Sequence, residues 1–350
     1  MNQIDKLYFQ VKNDKTLKTV IDAYDSAQDP LVTVNVEVFN HEKYLKECLD
    51  SILGQKVSFN VVVHIHDDAS TDGSRAIIEE YKVKYPNIIF PIIQKQNVYC
   101  IHQKENDVLT IQGLRVKGKY VAMCEGDDYW TNPFKLQTQV LLMERHPEAH
   151  LCLHTVEKIN ENTKELMCLM PQFKLESSIL SSESFIKIIL KKYAFQTSSY
   201  LFKAEDSINF YSDLPEFASV MPTGDETMIL YYGQLGNVIY INQRMSVYRK
   251  FADGSWSVRH RKYSEEKNDQ VNFARVKSLE AYDTYTSLRF HKSCLERKNR
   301  ILLAYYLREK QYDKVLEDRD LRKFCKRKHF VTYVRLKHPK IYNLIRRTKR

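Results

Sequence analysis

The sequence has no long apolar run and little glycine or proline. No segment approaches the roughly 18 consecutive apolar residues that a membrane-spanning helix needs. Residues 1–14 contain no apolar core typical of a signal peptide, so we expect the protein to remain in the cytosol. Nine glycines and nine prolines among 350 residues argue against a fibrous or low-complexity chain, and the 43% hydrophobic content is enough for one substantial core.

Several common site motifs are also missing. The seven cysteines are scattered, and no two have the CxxC spacing of a zinc ribbon. An odd number at irregular spacing does not indicate a disulfide framework either. Neither a P-loop nor a GxGxxG fingerprint is present, so the usual glycine-rich phosphate-binding loops are excluded.

The positive charge is concentrated at the end of the chain. The net charge is +10, but residues 321–350 contain twelve Lys or Arg and no acid. The rest of the chain has 42 basic against 44 acidic residues, so its net charge is close to zero. This near-neutral body argues against general nucleic-acid binding, which depends on phosphate neutralisation.

β-Branched runs predict strands at Leu31–Phe39, Asn60–His66 and Lys119–Cys124. Amphipathic segments between them predict crossover helices, the first of which Asn40 is expected to cap. This alternation is typical of a Rossmann-like α/β fold with a mostly parallel central sheet and flanking helices. From about residue 259 onward the sequence predicts a helical C-terminal region.

Two acidic clusters follow predicted strand ends, where open parallel sheets bind their ligands. Glu125, Asp127 and Asp128 lie on one turn, and such closely spaced carboxylates bind Mg²⁺ or Mn²⁺ through oxygen. An ordinary surface turn is the alternative, since Asp and Gly are common there. After the earlier strand, Asp67 or Asp68 is placed to accept a hydrogen bond from a pyrimidine base. The alternative is an ordinary strand-to-helix turn that binds no ligand.

Six segments occur in order between about residues 31 and 258. They read VTVNVEVFNHEKYLKECLDSILGQ, VVVHIHDDASTDGS, GKYVAMCEGDDYWTNPFKLQTQ, FQTSSYLFK, TGDETM and MSVYRKFADGSWS. Together they resemble family 2 glycosyltransferases, specifically the capsule and surface-polysaccharide branch. The resemblance implies a GT-A fold, an inverting mechanism and a divalent cation, Mn²⁺ or Mg²⁺.

The resemblance also implies a domain plan and a reaction. Residues 1–30 are an N-terminal extension and residues 31–258 the GT-A domain, with a nucleotide-sugar half (31–150) and an acceptor half (151–258). Residues 259–350 are the helical region with the basic tail. The implied enzyme is a hexosyl- or hexosaminyltransferase that moves a sugar from a nucleotide-diphosphate donor, a UDP-sugar, to a hydroxyl of a lipid-linked glycan acceptor in surface polysaccharide synthesis.

Donor and metal positions follow from the same resemblance. Asp68 matches the position that reads the pyrimidine base, and the segment around Glu37 and Phe39 flanks that base. Glu125, Gly126 and Asp127 match the DxD motif, with Asp127 as the direct metal ligand. An alignment anchored on Pro133 instead makes Asp128 the ligand, and the choice stays open.

Catalysis is assigned to the later blocks. Asp225 matches the catalytic base, although an Asp after Gly is also a common helix cap. Arg249 is expected to neutralise the donor diphosphate, with a solvated surface Arg as the alternative. Glu226 and Trp256 are expected to contact the acceptor, Trp256 by stacking on a sugar, while a core tryptophan is the competing interpretation.

The basic tail, residues 321–350, has three interpretations. Cations interspersed with aromatic and aliphatic residues suit an interfacial helix on anionic lipid, and we therefore expect a cytoplasmic protein that is peripheral on the inner face of the cell membrane. RNA binding and a solvated end are the alternatives. For the whole chain, the competing function is a nucleotide-sugar-binding or scaffold protein with the same fold and no transfer activity.

Overall fold

The structure is a computed structural model that describes residues 2–97, 111, 113–192 and 195–339, without the side chain of Trp256. The described residues divide into two compact units, each with its own internal contacts. The first unit contains the described residues within 1–189, 193–215 and 223–263, and the second contains those within 190–192, 216–222 and 264–350.

The strands belong to the first unit. They are β1 Lys18–Thr19, β2 Val32–Val38, β3 Lys56–Val57, β4 Val61–Asp67, β5 Ile89–Ile93, β6 Tyr120–Glu125, β7 Tyr129–Trp130, β8 Ala149–Asn160, β9 Leu166–Met170, β10 Ser178–Leu180, β11 Leu201–Lys203 and β12 Asn237–Lys250. Ten of them form one sheet in the order β10-β12-β8-β11-β6-β2-β4-β5, to which β7 and β9 are added by pairing with β12 and β8. β1 and β3 pair separately.

The helices lie in both units. They are α1 Gln3–Asn13, α2 Val20–Ala23, α3 Leu45–Leu53, α4 Ser74–Lys84, α5 Lys135–Arg145, α6 Ser182–Lys191, α7 Ala204–Ser212, α8 Glu216–Val220, α9 Gly224–Leu235, α10 Trp256–His260, α11 Glu265–Tyr285, α12 His291–Arg308, α13 Tyr312–Glu317, α14 Arg319–Lys328 and α15 Phe330–Lys337, with a 3₁₀ turn at Thr197–Ser199. Within the described ranges, no helix is both long and apolar enough to cross a bilayer.

The centre of the sheet is parallel. β2 pairs in parallel with β4 on one side and with β6 on the other, and β4 pairs in parallel with β5. β4 is buried at every position, and β2 at every position but one, because helices cover the sheet on both faces. The predicted strands and the parallel arrangement of the central ones are confirmed.

The far half of the sheet is mixed. β11 lies antiparallel between β6 and β8, and β12 then runs parallel to β8. The carboxyl ends of β8 and β12 therefore lie together at residues 157–160 and 247–250.

The segment between β2 and α3 differs from its prediction. Asn40 does not cap the helix, which begins only at Leu45. Asn40 instead takes a positive φ of 58°, a conformation that Asn tolerates better than most residues. Its side-chain oxygen accepts a hydrogen bond from the N–H of Thr71, so it ties this loop to the turn after β4.

The N-terminal helix is part of the core of the first unit. Ile4, Leu7, Tyr8 and Val11 on one face of α1 are buried in the same apolar cluster as the central strands. The Tyr8 hydroxyl accepts a hydrogen bond from the side-chain amide of Asn132. The segment expected as an extension therefore contributes packing to the unit.

The second unit is helical. Phe217 of α8 contacts Tyr282 of α11, with ring centroids 5.0 Å apart. A separate apolar cluster joins α12 to the C-terminal helices and contains Leu303, Val315, Leu321, Phe324, Cys325 and Tyr333. The predicted helical C-terminal region is confirmed.

The packing of α1 gives a paired stability prediction. Leu7 is 2% exposed and Phe9 is 42% exposed. Leu7→Ala should destabilise the protein by about 3 kcal/mol because it leaves a cavity, whereas Phe9→Ala should cost less than about 1 kcal/mol. Thermal and urea unfolding of both variants would measure this difference, and equal effects would contradict the burial of this helix face.

Candidate active site

Acidic side chains gather at the carboxyl edge of the parallel strands. In the register of β2 with β6, Glu37 lies beside Glu125. In the register of β2 with β4, Val38 lies beside Asp67. The two turns that follow β4 and β6 therefore emerge next to each other, on either side of the segment that leaves β2.

The turn after β6 is held by hydrogen bonds to its carboxylates. Glu125 accepts hydrogen bonds from the Thr197 hydroxyl at 3.0 Å and from the Gln196 side-chain amide at 3.1 Å. Asp128 is fully buried and accepts from the backbone N–H of Arg249 at 3.0 Å and from Gln196 at 3.4 Å. Burial nevertheless raises the pKa of Asp128 well above its ordinary value, and the nearby Asp127 carboxylate adds to this.

The electrostatics of Glu125 show which acids lie together. Its pKa is raised well above the ordinary value, first by burial and then by the charges of Asp128, Asp127, Glu37 and Asp225. Like charges raise a carboxyl pKa appreciably only when they are close in a medium of low polarity. Acids from three distant stretches of the chain therefore converge on one site.

Asp225 lies in the first turn of α9. Thr223 occupies the N-cap position, without a side-chain cap hydrogen bond, so Asp225 is not the N-cap residue of this helix. The Asp225 carboxylate accepts a hydrogen bond from the N–H of Glu226 at 2.8 Å, and the residue is half-buried. A carboxylate in this position interacts favourably with the helix dipole.

The two acids after β4 have different surroundings. Asp67 is fully buried, and its carboxylate binds the Arg75 guanidinium at 2.9 Å and the N–H of Ser70. Asp68 is 5% exposed, and its N–H donates to the carbonyl of Val38 at 2.9 Å. Asp67 therefore stabilises the turn, and Asp68 lies against the end of β2.

Gly126 allows the acidic turn to approach the loop after β2. Its N–H donates to the carbonyl of Glu37 at 2.8 Å. A Cβ at this position would lie 2.8 Å from Nδ1 of His41 and 3.1 Å from the Glu37 carbonyl oxygen, so any side chain would force the two segments apart. His41 itself is 8% exposed, with Nε2 3.9 Å from a carboxylate oxygen of Asp127.

Arg249 is buried beside the acidic turn. It is 3% exposed, and its guanidinium donates to the carbonyl of Asp127 at 2.7 Å and pairs with Glu47 and with Glu161. It also stacks on Tyr129, 4.2 Å from the ring centroid. Three of its nitrogens contact protein groups, so Arg249 supports the acidic turn, while its contact with a donor diphosphate stays a prediction.

The remaining predicted residues have varied surroundings. Phe39 is half-buried, with the Arg259 guanidinium 5.7 Å from its ring centroid. Glu226 is 3% exposed and follows Asp225 in the first turn of α9, and its contact with an acceptor stays a prediction. Trp256 begins α10, and its side chain lies outside the described residues.

Gln196 and Thr197 were missed as site residues by the sequence analysis. Their only signal was a polar run, Gln-Thr-Ser-Ser, within an otherwise apolar block. Both contact Glu125 from more than seventy residues further along the chain.

The acidic turn partly fits a divalent cation. Among the described residues, no three His, Cys, Asp or Glu side chains are arranged to hold a metal ion. Mg²⁺ is commonly held by only one or two carboxylates together with substrate phosphates and water. Asp127 and Glu125 match that donor type, and a cation would relieve the repulsion that raises the Glu125 pKa. Both oxygens of Asp128 already accept protein hydrogen bonds, which makes it the least suited of the three acids.

Comparison with known proteins identifies relatives of this domain. Residues 33–191 match the family described as glycosyl transferase family 2. An uncharacterized protein of Mycobacterium tuberculosis is 37% identical over 221 residues, which are 62% of this chain and 58% of that protein. The putative glycosyltransferase EpsE of Bacillus subtilis is 33% identical over 117 residues, 33% of this chain and 40% of EpsE. The chain thus spans only about half the length of these relatives.

A solved structure shares the fold. TarS of S. aureus (residues 1–349, in complex with UDP) superimposes with a TM-score of 0.53 at 15% identity, covering 89% of this chain and 82% of that one. The predicted GT-A fold is confirmed by this likeness together with the family match.

The buried position of Arg249 predicts a large effect on stability. Arg249→Met should destabilise the first unit by about 3 kcal/mol, because Glu161 and the Asp127 carbonyl lose their partner inside the protein. Arg244→Met, on the same strand, removes an exposed ion pair with Glu157 and should cost less than about 1 kcal/mol. Thermal unfolding of the two variants measures the contrast. An Arg249→Met protein as stable as the Arg244→Met control would refute the supporting role.

Proposed function

Residues 33–191 form a family 2 glycosyl transferase domain, and on this premise we propose that the chain is an inverting glycosyltransferase acting on a nucleotide-diphosphate sugar. The observation that carries the proposal is the convergence of carboxylates from β2, the turn after β6 and the start of α9. Transfer from such a donor requires binding of the nucleobase, neutralisation of the diphosphate and a general base for the acceptor hydroxyl. Acidic residues can serve each of these purposes.

The donor base is assigned to the two segments that meet beyond β2 and β4. Asp68 supplies a carboxylate that can accept a hydrogen bond from the N–H of a pyrimidine, and Phe39 supplies a half-buried aromatic face beside it. Glu37, which is in register with Glu125, lies between these base-binding residues and the acidic turn. The structurally similar TarS was solved with UDP and with UDP-GlcNAc, so a UDP-sugar is the first donor to test.

A divalent cation, Mn²⁺ or Mg²⁺, would be held by Asp127 with Glu125 beside it. When bound, the cation supplies positive charge to the diphosphate leaving group. The protein's own contribution is to fix the two carboxylates. Thr197 and Gln196 orient Glu125, and Arg249 binds the carbonyl of Asp127.

Asp225 is the proposed general base. It takes the proton from an acceptor hydroxyl as that oxygen attacks the anomeric carbon from the face opposite the diphosphate, which inverts the centre. Holding both substrates in line supplies much of the acceleration, so the carboxylate needs position more than an unusual basicity. Its place in the first turn of a helix, next to the acidic cluster, provides that position.

Two substitutions separate donor binding from catalysis. Asp127→Asn should abolish the thermal stabilisation that UDP and Mn²⁺ together give the wild type, which is about 2.7 kcal/mol at a hundred times Kd. Asp225→Asn should keep that stabilisation and lower the release of UDP from UDP-sugars by about 10²- to 10⁴-fold. Each variant serves as the control for the other.

The same assay decides between an enzyme and a binding protein. A wild type that is stabilised by UDP-sugars but never releases UDP from any of them, with water or with glycan acceptors, would contradict the enzymatic proposal. An Asp127→Asn protein that responds to UDP and Mn²⁺ as the wild type does would remove the proposed cation site.

The acceptor is proposed to be a glycan on a lipid carrier in surface polysaccharide synthesis, which requires the enzyme to reach a membrane. Much of the basic segment is folded: Leu321 and Phe324 on α14 and Tyr333 on α15 are buried in the second unit. Phe330 and Val331 remain 60% and 66% exposed, between the cations of α14 and those of α15. Residues 340–350 lie outside the described residues.

We propose that Phe330 and Val331 insert into an anionic membrane surface, to which the flanking cations are attracted. Phe330→Ser with Val331→Ser should weaken binding to phosphatidylglycerol vesicles about tenfold or more, measured by cosedimentation. Val83→Ser, at an exposed apolar position on α4, is the control and should change nothing. Equal binding by all three proteins would refute the insertion.

A further inference from the structure

Three cations lie together where β8 and β12 end. Lys158 is on β8, Lys250 is the last residue of β12, and Arg261 follows α10. Lys158 is in register with Tyr248, and Tyr248 and Lys250 point to the same face because they are two residues apart on one strand. The two lysines therefore share one face of the sheet.

Aromatic rings connect the three side chains. The Arg261 guanidinium lies 3.8 Å from the ring centroid of Phe251, and the Lys250 ammonium lies 5.6 Å from the same centroid. The Lys158 ammonium lies 6.0 Å from the ring centroid of Tyr248. Both lysines are half-buried and Arg261 is exposed, so the group is accessible from solvent.

Nearby acids are engaged elsewhere. Glu157 on β8 pairs with Arg244, and Glu161, just after β8, pairs with Arg249. In the loop after β12, Asp253 pairs with Lys43. Across the part of the chain that the structure describes, Lys158, Lys250 and Arg261 make no ion pair with an acid.

The cations repel one another. The pKa of Lys250 is lowered, first by burial and then by the charges of Lys158 and Arg261. Half-buried like charges without a counter-charge destabilise the folded protein slightly and attract an anion strongly. Arg and Lys side chains are the usual hydrogen-bond donors to a bound phosphate group.

This group adjoins the carboxylate site. The pKa of Tyr248 is raised, first by burial and then by the charges of Asp128, Glu125 and Asp127. The Tyr248 ring therefore neighbours both the carboxylates and Lys158. A substrate that lay along this ring would meet the acids at one end and the cations at the other.

We propose that Lys158, Lys250 and Arg261 bind a phosphate group carried by the acceptor, with Phe251 packing against the part of the acceptor next to that phosphate. The inference rests on the proposed function, since it assumes that a sugar acceptor enters this site. The donor diphosphate is assigned to the cation held by Asp127, so a second cationic group indicates a second phosphate. A polyol-phosphate polymer and a prenyl diphosphate carrier both present such a group.

The test compares two triple variants of equal charge. Lys158→Gln, Lys250→Gln and Arg261→Gln remove the cluster, whereas Lys46→Gln, Lys187→Gln and Arg244→Gln remove the same charges elsewhere. Calorimetric titration with a glycerol phosphate trimer and, separately, with geranyl diphosphate is carried out on each full-length protein, with UDP and Mn²⁺ present. Thermal unfolding first establishes that each variant folds. If the first triple variant does not, Arg261→Gln alone, at an exposed position, takes its place.

The wild type and the control variant should bind at least one of the two probes, and the cluster variant should bind it at least tenfold more weakly. The probe that binds distinguishes a polyol phosphate from a prenyl carrier. The proposal is overturned if neither probe binds the wild type, or if the cluster variant binds as the wild type does. It is also overturned if the cluster variant loses UDP binding to the same extent, because the cations then serve the donor.

A failure of the proposed function has a different signature. In that case the wild type would give no UDP response with Mn²⁺, while its binding of the phosphate probes would still be measured independently. The two claims therefore fail through different readouts.

Discussion

The site depends on how the protein keeps several carboxylates together away from water. A buried carboxylate costs several kcal/mol unless hydrogen bonds or an opposite charge stabilise it. Here the backbone N–H of Arg249 and the side chains of Gln196 and Thr197 supply donors to the acidic turn. Burial, and then the remaining repulsion between the carboxylates, raises the pKa of Glu125. β12 and the segment at the 3₁₀ turn Thr197–Ser199 therefore help to hold the acidic turn after β6 in place.

The central strands and the position of the acidic turns could be predicted from the sequence. Strands buried on both faces produce continuous β-branched runs, and Asp67 and Glu125 come at the ends of those runs. Since parallel strands end at one edge, their convergence followed from topology. The fold was predictable for the same reason: its signal is local and repeated.

The contacts that shape the site could not be predicted in this way. Arg249 lies near the end of a strand, where a solvated arginine is common, and only the structure shows Glu47, Glu161 and the Asp127 carbonyl around it. Gln196 shows nothing in its own neighbourhood that points to Glu125. The position of Asn40 depends on Thr71, which a helix-capping rule does not consider. In each case the partner is distant in the chain, and local patterns carry no information about it.

Gly126 has a consequence for communication within the domain. Because its backbone lies directly against Glu37 and His41, the loop after β2 and the acidic turn are in direct contact. In the proposed function, a nucleobase bound beside Glu37 and a cation held by Asp127 would therefore act on one shared piece of backbone. Any effect of one ligand on the affinity for the other would then be reciprocal.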